Sequence, residues 1–298
     1  LDDRTVREFI TRGYTLVQSD QPAEFHRAVC AKLDATLEAE GNPGNNILPR
    51  IPEIAEVFNH PNMRGALQSL LGPDYILNPH RHCHLNPPGS TGQTWHKDCY
   101  VFDHNMRQPR FHWLLALYYP QDVSLEMGPT AILPATQYYH SSEQAHQREE
   151  VPLCGQAGTL TIVHYDLWHR AMPNESDRDR LMVKLLFTRM SAPQAPTWDH
   201  RAGAWTVDAD DPPTNLCRHA WDWMRGEATA ADCNGAPLDE LDQALQASDE
   251  AERLQAVYAL AARGDEAMPV LLEALRRAAA ALLDENMAAA HTNPVSYT

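Results

Sequence analysis

No apolar run in this 298-residue chain approaches the roughly 18 residues that would suggest a membrane span. Basic residues are also scarce: 24 Lys and Arg stand against 40 Asp and Glu, a net charge of -16. That balance disfavours generic binding to a phosphate backbone, so no nucleic-acid partner and no membrane partner are expected. Much of the excess acid, such as Asp208, Asp210, Asp211, Asp239, Glu240 and Asp242, reads as a solvated surface. Cysteine is sparse as well. Cys30, Cys83, Cys99, Cys154, Cys217 and Cys233 form no C-x-x-C pair, which argues against a disulfide framework and for a reducing, cytoplasmic setting. The opening Leu1-Asp2-Asp3-Arg4 is acidic, unlike the basic-then-apolar start of a signal peptide. With no initiator Met, that end reads as processed or trimmed, and the polar end at Thr298 reads as a point of truncation.

What is present divides into two patterns. Asp2 or Asp3 can cap a helix running to about Thr11, with Val6, Phe9 and Ile10 on one face and Gly13 as its stop. A strand at Tyr14–Val17, a helix from about Pro22 to Glu40 and a short helix from about Asn62 to Leu71 follow, with prolines breaking the chain between the two helices. From Tyr75 to Phe187 short apolar runs recur between Gly, Pro, Asn and Asp, as in 111–118, 130–133, 159–163 and 181–187. Many short strands without long helices between them favour a mainly β core, an antiparallel barrel or jelly roll over about 75–190. Residues 192–236 read as an irregular, partly helical extension. Residues 236–298 are Ala-, Leu- and Glu-rich and form a helical extension resembling one HEAT-like unit, with Ser248-Asp249-Glu250 and Gly264-Asp265-Glu266 opening successive helices. The expected division is therefore 1–235 and 236–298.

The chemistry concentrates in Gln93-Thr94-Trp95-His96-Lys97-Asp98. In an extended segment, residues two apart project to the same face, so His96 and Asp98 can grip one ion. A second imidazole completes the 2-His-1-carboxylate set typical of non-haem Fe(II) oxygenases. His169 at a strand end supplies it, and Arg180 opens the next strand eleven residues later. A guanidinium there suits the distal carboxylate of 2-oxoglutarate, because it binds both oxygens in a fork. Rivals exist for each role. His164-x-Asp166 repeats the motif, His164 could replace His169, and Arg178 could replace Arg180. His80, His82 and His84 alternate along one strand without a carboxylate and read as pocket-lining or structural, with His84 and Asn86 nearest the site. Tyr100, Phe102, His84 and Trp95 are candidate walls for a substrate.

These motifs together resemble the phytanoyl-CoA dioxygenase family of Fe(II)/2-oxoglutarate enzymes. The likeness runs from about Asp2 to Arg189 through Leu70-Leu71-Gly72-Pro73-Asp74-Tyr75, Trp95-His96-Lys97-Asp98, Gly128-Pro129-Thr130-Ala131-Ile132-Leu133-Pro134 and Trp168-His169 to Arg180. It implies a double-stranded β-helix, His96, Asp98 and His169 as catalytic metal ligands, and Arg180 on 2-oxoglutarate. It also implies Trp113 and Thr130 at the cosubstrate pocket. Where the family often has Gly-Ser-His, this chain has Ala135-Thr136-Gln137, and Ala171 stands where some members have serine.

The expected reaction couples oxidative decarboxylation of 2-oxoglutarate by O2 to C–H oxidation of a small organic substrate, with hydroxylation as the default. The expected cofactors are Fe(II), with 2-oxoglutarate and O2 as cosubstrates. The alternatives are a jelly-roll binding protein without catalysis, or a metal-dependent oxygenase that does not use 2-oxoglutarate. The helical extension is where self-association or a protein contact would fall.

Overall fold

The structure, a computed structural model, describes residues 1–98, 110–205, 214–227 and 236–292. The chain forms two compact units, Leu1–Ala228 and Thr229–Thr298.

The larger unit starts with α1 (Asp3–Arg12). The Asp2 side chain accepts from the Thr5 N–H at 2.8 Å, and Gly13 ends the helix in the left-handed region at φ 81°. Next come β1 (Tyr14–Gln18), α2 (Ala23–Glu40), α3 (Ile47–Arg50), α4 (Glu53–Asn59) and α5 (Pro61–Leu71). The prolines read as breakers in 43–52 instead belong to helix starts, because Pro49 lies in the first turn of α3 and Pro52 caps α4, positions where a missing N–H is harmless. The chain continues through β2 (Tyr75–Asn86), β3 (Trp113–Tyr118), β4 (Thr130–Ile132), α6 (Ser142–Ala145), β5 (Val151–Pro152), β6 (Thr159–His164), β7 (His169–Ala171), β8 (Arg180–Arg189) and α7 (Thr214–Met224).

Two antiparallel sheets result. One has the order β1-β6-β3-β8-β2 and the other β5-β4-β7. Along β8 the alternation of side chains decides which core each residue enters. Leu181, Val183, Leu185 and Phe187 join Val6, Phe9, Val29, Ile54 and Leu67 in a core between the large sheet and the helices. Met182 and Leu186 join Leu115, Leu117, Ile132 and Leu167 in a second core between the sheets. The core expected to be mainly β is thus mixed, because residues of α1, α2, α4 and α5 share one apolar core with the large sheet. Pro79 lies in β2, where it cannot donate to the ladder, and the β2–β8 register shifts between Leu77 and Arg81.

The smaller unit contains α8 (Leu238–Ala244), α9 (Glu250–Ala262) and α10 (Met268–Thr292). Asp249 caps α9 through the Glu252 N–H at 2.9 Å. Leu241, Leu260 and Ala267 form its core. Among the described residues no helix is long and apolar enough to cross a membrane.

Candidate metal centre

A two-strand ribbon brings the first and last members of the triad together. The His96 N–H donates to the His169 carbonyl and the His169 N–H to the His96 carbonyl, each at 3.0 Å. The Gln93 N–H extends the pairing to the Ala171 carbonyl at 2.9 Å. The two imidazoles consequently lie 4.5 Å apart, centre to centre.

Both rings carry the same tautomer. His96 Nδ1 lies 2.9 Å from the Thr94 carbonyl and His169 Nδ1 lies 3.0 Å from the Leu167 carbonyl. A carbonyl only accepts, so each Nδ1 carries the proton and each Nε2 presents a lone pair. One donor atom from each of His96, Asp98 and His169 lies within 4.8 Å of the others. Burial pushes His169 down to about 4, with Asp98 opposing, so at neutral pH its ring is uncharged, as ligation requires. Burial pushes the Asp98 carboxyl up, but His169 and Lys184 outweigh it and hold the group below the ordinary carboxylate value. Asp98 Oδ2 lies 3.8 Å from His169 Nε2 and accepts from Lys184 Nζ at 2.8 Å.

His96 and His169 open on a cavity of about 130 Å³ whose lining includes His84, Asn86, Thr130, Arg180, Met182 and Lys184. Arg180 is 1% exposed. Its Nε donates to the Gly128 carbonyl at 3.1 Å, while Nη1 is buried without a hydrogen-bond partner. A guanidinium stays cationic at any physiological pH, so this one is a buried positive charge. Gly128 allows the arrangement: its φ is 65°, and a Cβ there would fall 2.5 Å from the Met172 carbonyl oxygen. The turn into β8 is shaped by Asn174, whose amide donates to the Asn86 and Arg178 carbonyls at 2.7 and 2.8 Å.

The other sequence candidates fall into place around this centre. Thr130 lines the cavity, and its backbone N–H donates to the Tyr119 hydroxyl at 2.9 Å. His84 lines it with a buried, unpartnered Nε2. Asn86 lines it too, but its amide hydrogens go to the Gly128 and Met172 carbonyls at 3.0 and 3.1 Å. Trp113 is not among the described lining residues. It packs in the inter-sheet core, 6.2 Å from Tyr165. Tyr100 and Phe102 lie outside the described residues. Of the rivals, Arg178 is exposed, and His164 Nδ1 accepts from the Asp166 N–H at 3.1 Å in a local turn. Sequence reasoning missed Lys184, although Arg180-x-Met182-x-Lys184 sits at strand period with two cations in an otherwise apolar run.

A sequence model described as phytanoyl-CoA dioxygenase (PhyH) matches residues 21–182. A comparison with curated proteins gave no match. Among solved structures, the chain is similar to EctD from S. alaskensis, crystallised with 2-oxoglutarate and 5-hydroxyectoine. That pair shares 16% identity over 73% of this chain and 86% of the other, with a TM-score of 0.55. It is also similar to a non-heme alpha ketoglutarate dependent carbocyclase, SnoK, from nogalamycin biosynthesis (16% identity, 63% of this chain and 84% of that chain, TM-score 0.54). A third is the epimerase SnoN in complex with Fe3+, alpha ketoglutarate and nogalamycin RO (16% identity, 62% and 82%, TM-score 0.52). At such identities the likeness is one of fold.

Proposed function

The chain belongs to the phytanoyl-CoA dioxygenase family of iron- and 2-oxoglutarate-dependent oxygenases, and from that premise we propose that His96, Asp98 and His169 hold one Fe(II) and that Arg180 holds the distal carboxylate of 2-oxoglutarate. The carrying observation is the pair of Nδ1–H bonds to the Thr94 and Leu167 carbonyls, which leave two Nε2 lone pairs beside the Asp98 carboxylate. The donor set, two neutral imidazoles and one carboxylate, suits Fe(II). When bound, the metal with 2-oxoglutarate and O2 supplies the oxidising equivalent for a C–H bond. The protein's own residues do the rest. The ribbon fixes the two rings and Lys184 steadies Asp98. Arg180 offers a buried cation four residues from Lys184, and the inter-sheet core keeps water from the cavity's inner wall. Thr130 contributes a hydroxyl at the cosubstrate end.

The substrate is read as a small organic molecule, with hydroxylation as the outcome. The catalytic domain is read as 1–235. Residues 236–298 are read as a HEAT-like extension for self-association or a protein contact, supported by the exposed Leu272, Leu275 and Leu282 on α10. Anaerobic addition of Fe(II) and then 2-oxoglutarate tests the site. One Fe(II) per chain and a visible metal-to-cosubstrate charge-transfer band are expected, both lost in His169→Ala and both retained in His164→Ala. The opposite pattern would move the distal ligand to His164. Metal binding without any response to 2-oxoglutarate would leave a metal-dependent oxygenase of another kind.

A further inference from the structure

Asn174 is 1% exposed, and both ends of its side chain are in use. Besides the two bonds its amide donates, to the Asn86 and Arg178 carbonyls, its Oδ1 accepts from the Ser176 N–H at 3.0 Å and the Ser176 hydroxyl at 2.7 Å. The backbone of the same residue serves another segment. Its N–H donates to the Ser90 carbonyl at 3.0 Å, and its carbonyl accepts from the Gly89 N–H at 2.9 Å. These bonds continue the ribbon of His96 and His169 to its far end. Asn174 therefore joins two structures: its backbone closes the ribbon, and its side chain gathers the turn that leads into β8.

The two acceptors of the amide are the neighbours of Arg180. Asn86 stands opposite Arg180 in the β2–β8 register, and Arg178 precedes it by two residues. The Asn86 side chain in turn donates to the Gly128 carbonyl at 3.0 Å, the same oxygen that accepts from Arg180 Nε at 3.1 Å. Asn174, Asn86, Gly128 and Arg180 thus form one line of contacts that ends on the guanidinium. The turn itself offers little other hold, because Asp177, Arg178 and Asp179 are all exposed. An amide suits this place because it combines two donor hydrogens with an acceptor; a carboxylate would bring acceptors only. Asn174 is not among the described residues that line the cavity, so it acts through Arg180 and not on a ligand. On the reading given above, we propose that Asn174 is a positioning residue for the cosubstrate. Its side chain sets the aim of Arg180, while its backbone holds the ribbon and survives substitution. Losing the side chain therefore weakens the grip on the distal carboxylate and spares iron.

The test titrates the full chain, anaerobic and loaded with Fe(II), with 2-oxoglutarate and with 2-oxovalerate, the 2-oxo acid of the same length that lacks the distal carboxylate. Asn174→Ala should bind 2-oxoglutarate about tenfold more weakly, the scale of one or two neutral hydrogen bonds. Its affinities for Fe(II) and 2-oxovalerate should stay at the wild-type level. Arg180→Ala and the double variant Arg180→Ala/Asn174→Ala should bind 2-oxoglutarate alike, because one residue acts through the other. Should Asn174→Ala fail to fold, Ser176→Ala removes only the hydroxyl held by Oδ1 and should show the same selective loss, about threefold. Unchanged 2-oxoglutarate affinity in the folded variant, equal weakening toward both acids, or additive losses in the double variant overturns the proposal. If Arg180→Ala itself leaves 2-oxoglutarate affinity unchanged, the proposed function falls with it. If Arg180→Ala weakens binding and Asn174→Ala does not, the positioning role alone falls.

Discussion

On strand β8 the residues Leu181, Val183, Leu185 and Phe187 enter the core beneath the helices, whereas Arg180, Met182 and Lys184 line the cavity. The first face is stabilising by itself, since burying each large apolar side chain is worth about 1.5–3 kcal/mol. The second buries two cations: Lys184 is paired with Asp98 at 2.8 Å, whereas Arg180 keeps an Nη1 without a hydrogen-bond partner, and a buried charge left uncompensated costs several kcal/mol. One strand thus holds a face that needs only its neighbours and a face whose Arg180, on the proposed reading, is completed by the cosubstrate. The lesson is that burial alone does not separate core from site. All ten residues of β8 are buried, and only the chemistry of what is buried distinguishes the two.

The widest separation should come from the apolar face. Leu185→Ala should destabilise the protein by about 2–5 kcal/mol in urea unfolding, with 2-oxoglutarate affinity in the folded protein essentially unchanged. A large loss of cosubstrate affinity in this variant would show that the two faces are coupled and would break the comparison.

The next effect is a pH dependence that belongs to the apolar side. His164 is buried against Phe111, with ring centres 5.5 Å apart, and burial pushes it down to about 3. In the unfolded chain it titrates near 6.5. The unfolded state therefore binds the proton first as pH falls. Stability is full above about pH 6.5 and declines toward pH 3, by up to about 1.4 kcal/mol per pH unit. Urea unfolding across that window should show the slope, and His164→Gln should lessen it, leaving the contributions of His84, His169 and His219, which burial also lowers. Identical slopes in the two proteins would remove His164 as the cause.

The smallest expected change is a gain. Ala135 has φ 64°, a left-handed conformation, and it stands where family members often have glycine. For a non-glycine residue that conformation costs about 1–2 kcal/mol, partly offset by the greater unfolded-state freedom of glycine. Ala135→Gly should therefore stabilise by up to about 1 kcal/mol, read as a raised urea midpoint. A lowered midpoint would mean that the methyl group's packing outweighs the strain.

Much of this was legible in the sequence, for reasons that can be named. The α1 cap at Asp2 and its stop at Gly13 are local, and so is the same-face geometry of His96 and Asp98. Arg180 was placed at the start of the strand after His169 with Arg178 as its rival, and the structure buries the first and exposes the second. Features that depend on distant partners were not legible. The His96–His169 backbone pairing spans 73 residues and fixes both rings, yet neither segment announces it. Lys184 meets Asp98 across 86 residues, and in the sequence it reads as an interruption in an apolar strand. Helices α3 and α4 were missed because prolines were read as breakers when they sit at helix starts.

The most direct test of the central claim is a titration of 2-oxoglutarate into anaerobic Fe(II)-loaded wild-type, Arg180→Ala and Arg178→Ala proteins. Losing the buried guanidinium removes a charged partner worth about 2–5 kcal/mol. Arg180→Ala should therefore bind iron normally and weaken 2-oxoglutarate by roughly 30-fold or more, at tenfold per 1.4 kcal/mol. Arg178→Ala should stay close to the wild type. Unchanged affinity in Arg180→Ala would contradict the account and leave the cosubstrate's anchor to be sought elsewhere in the cavity.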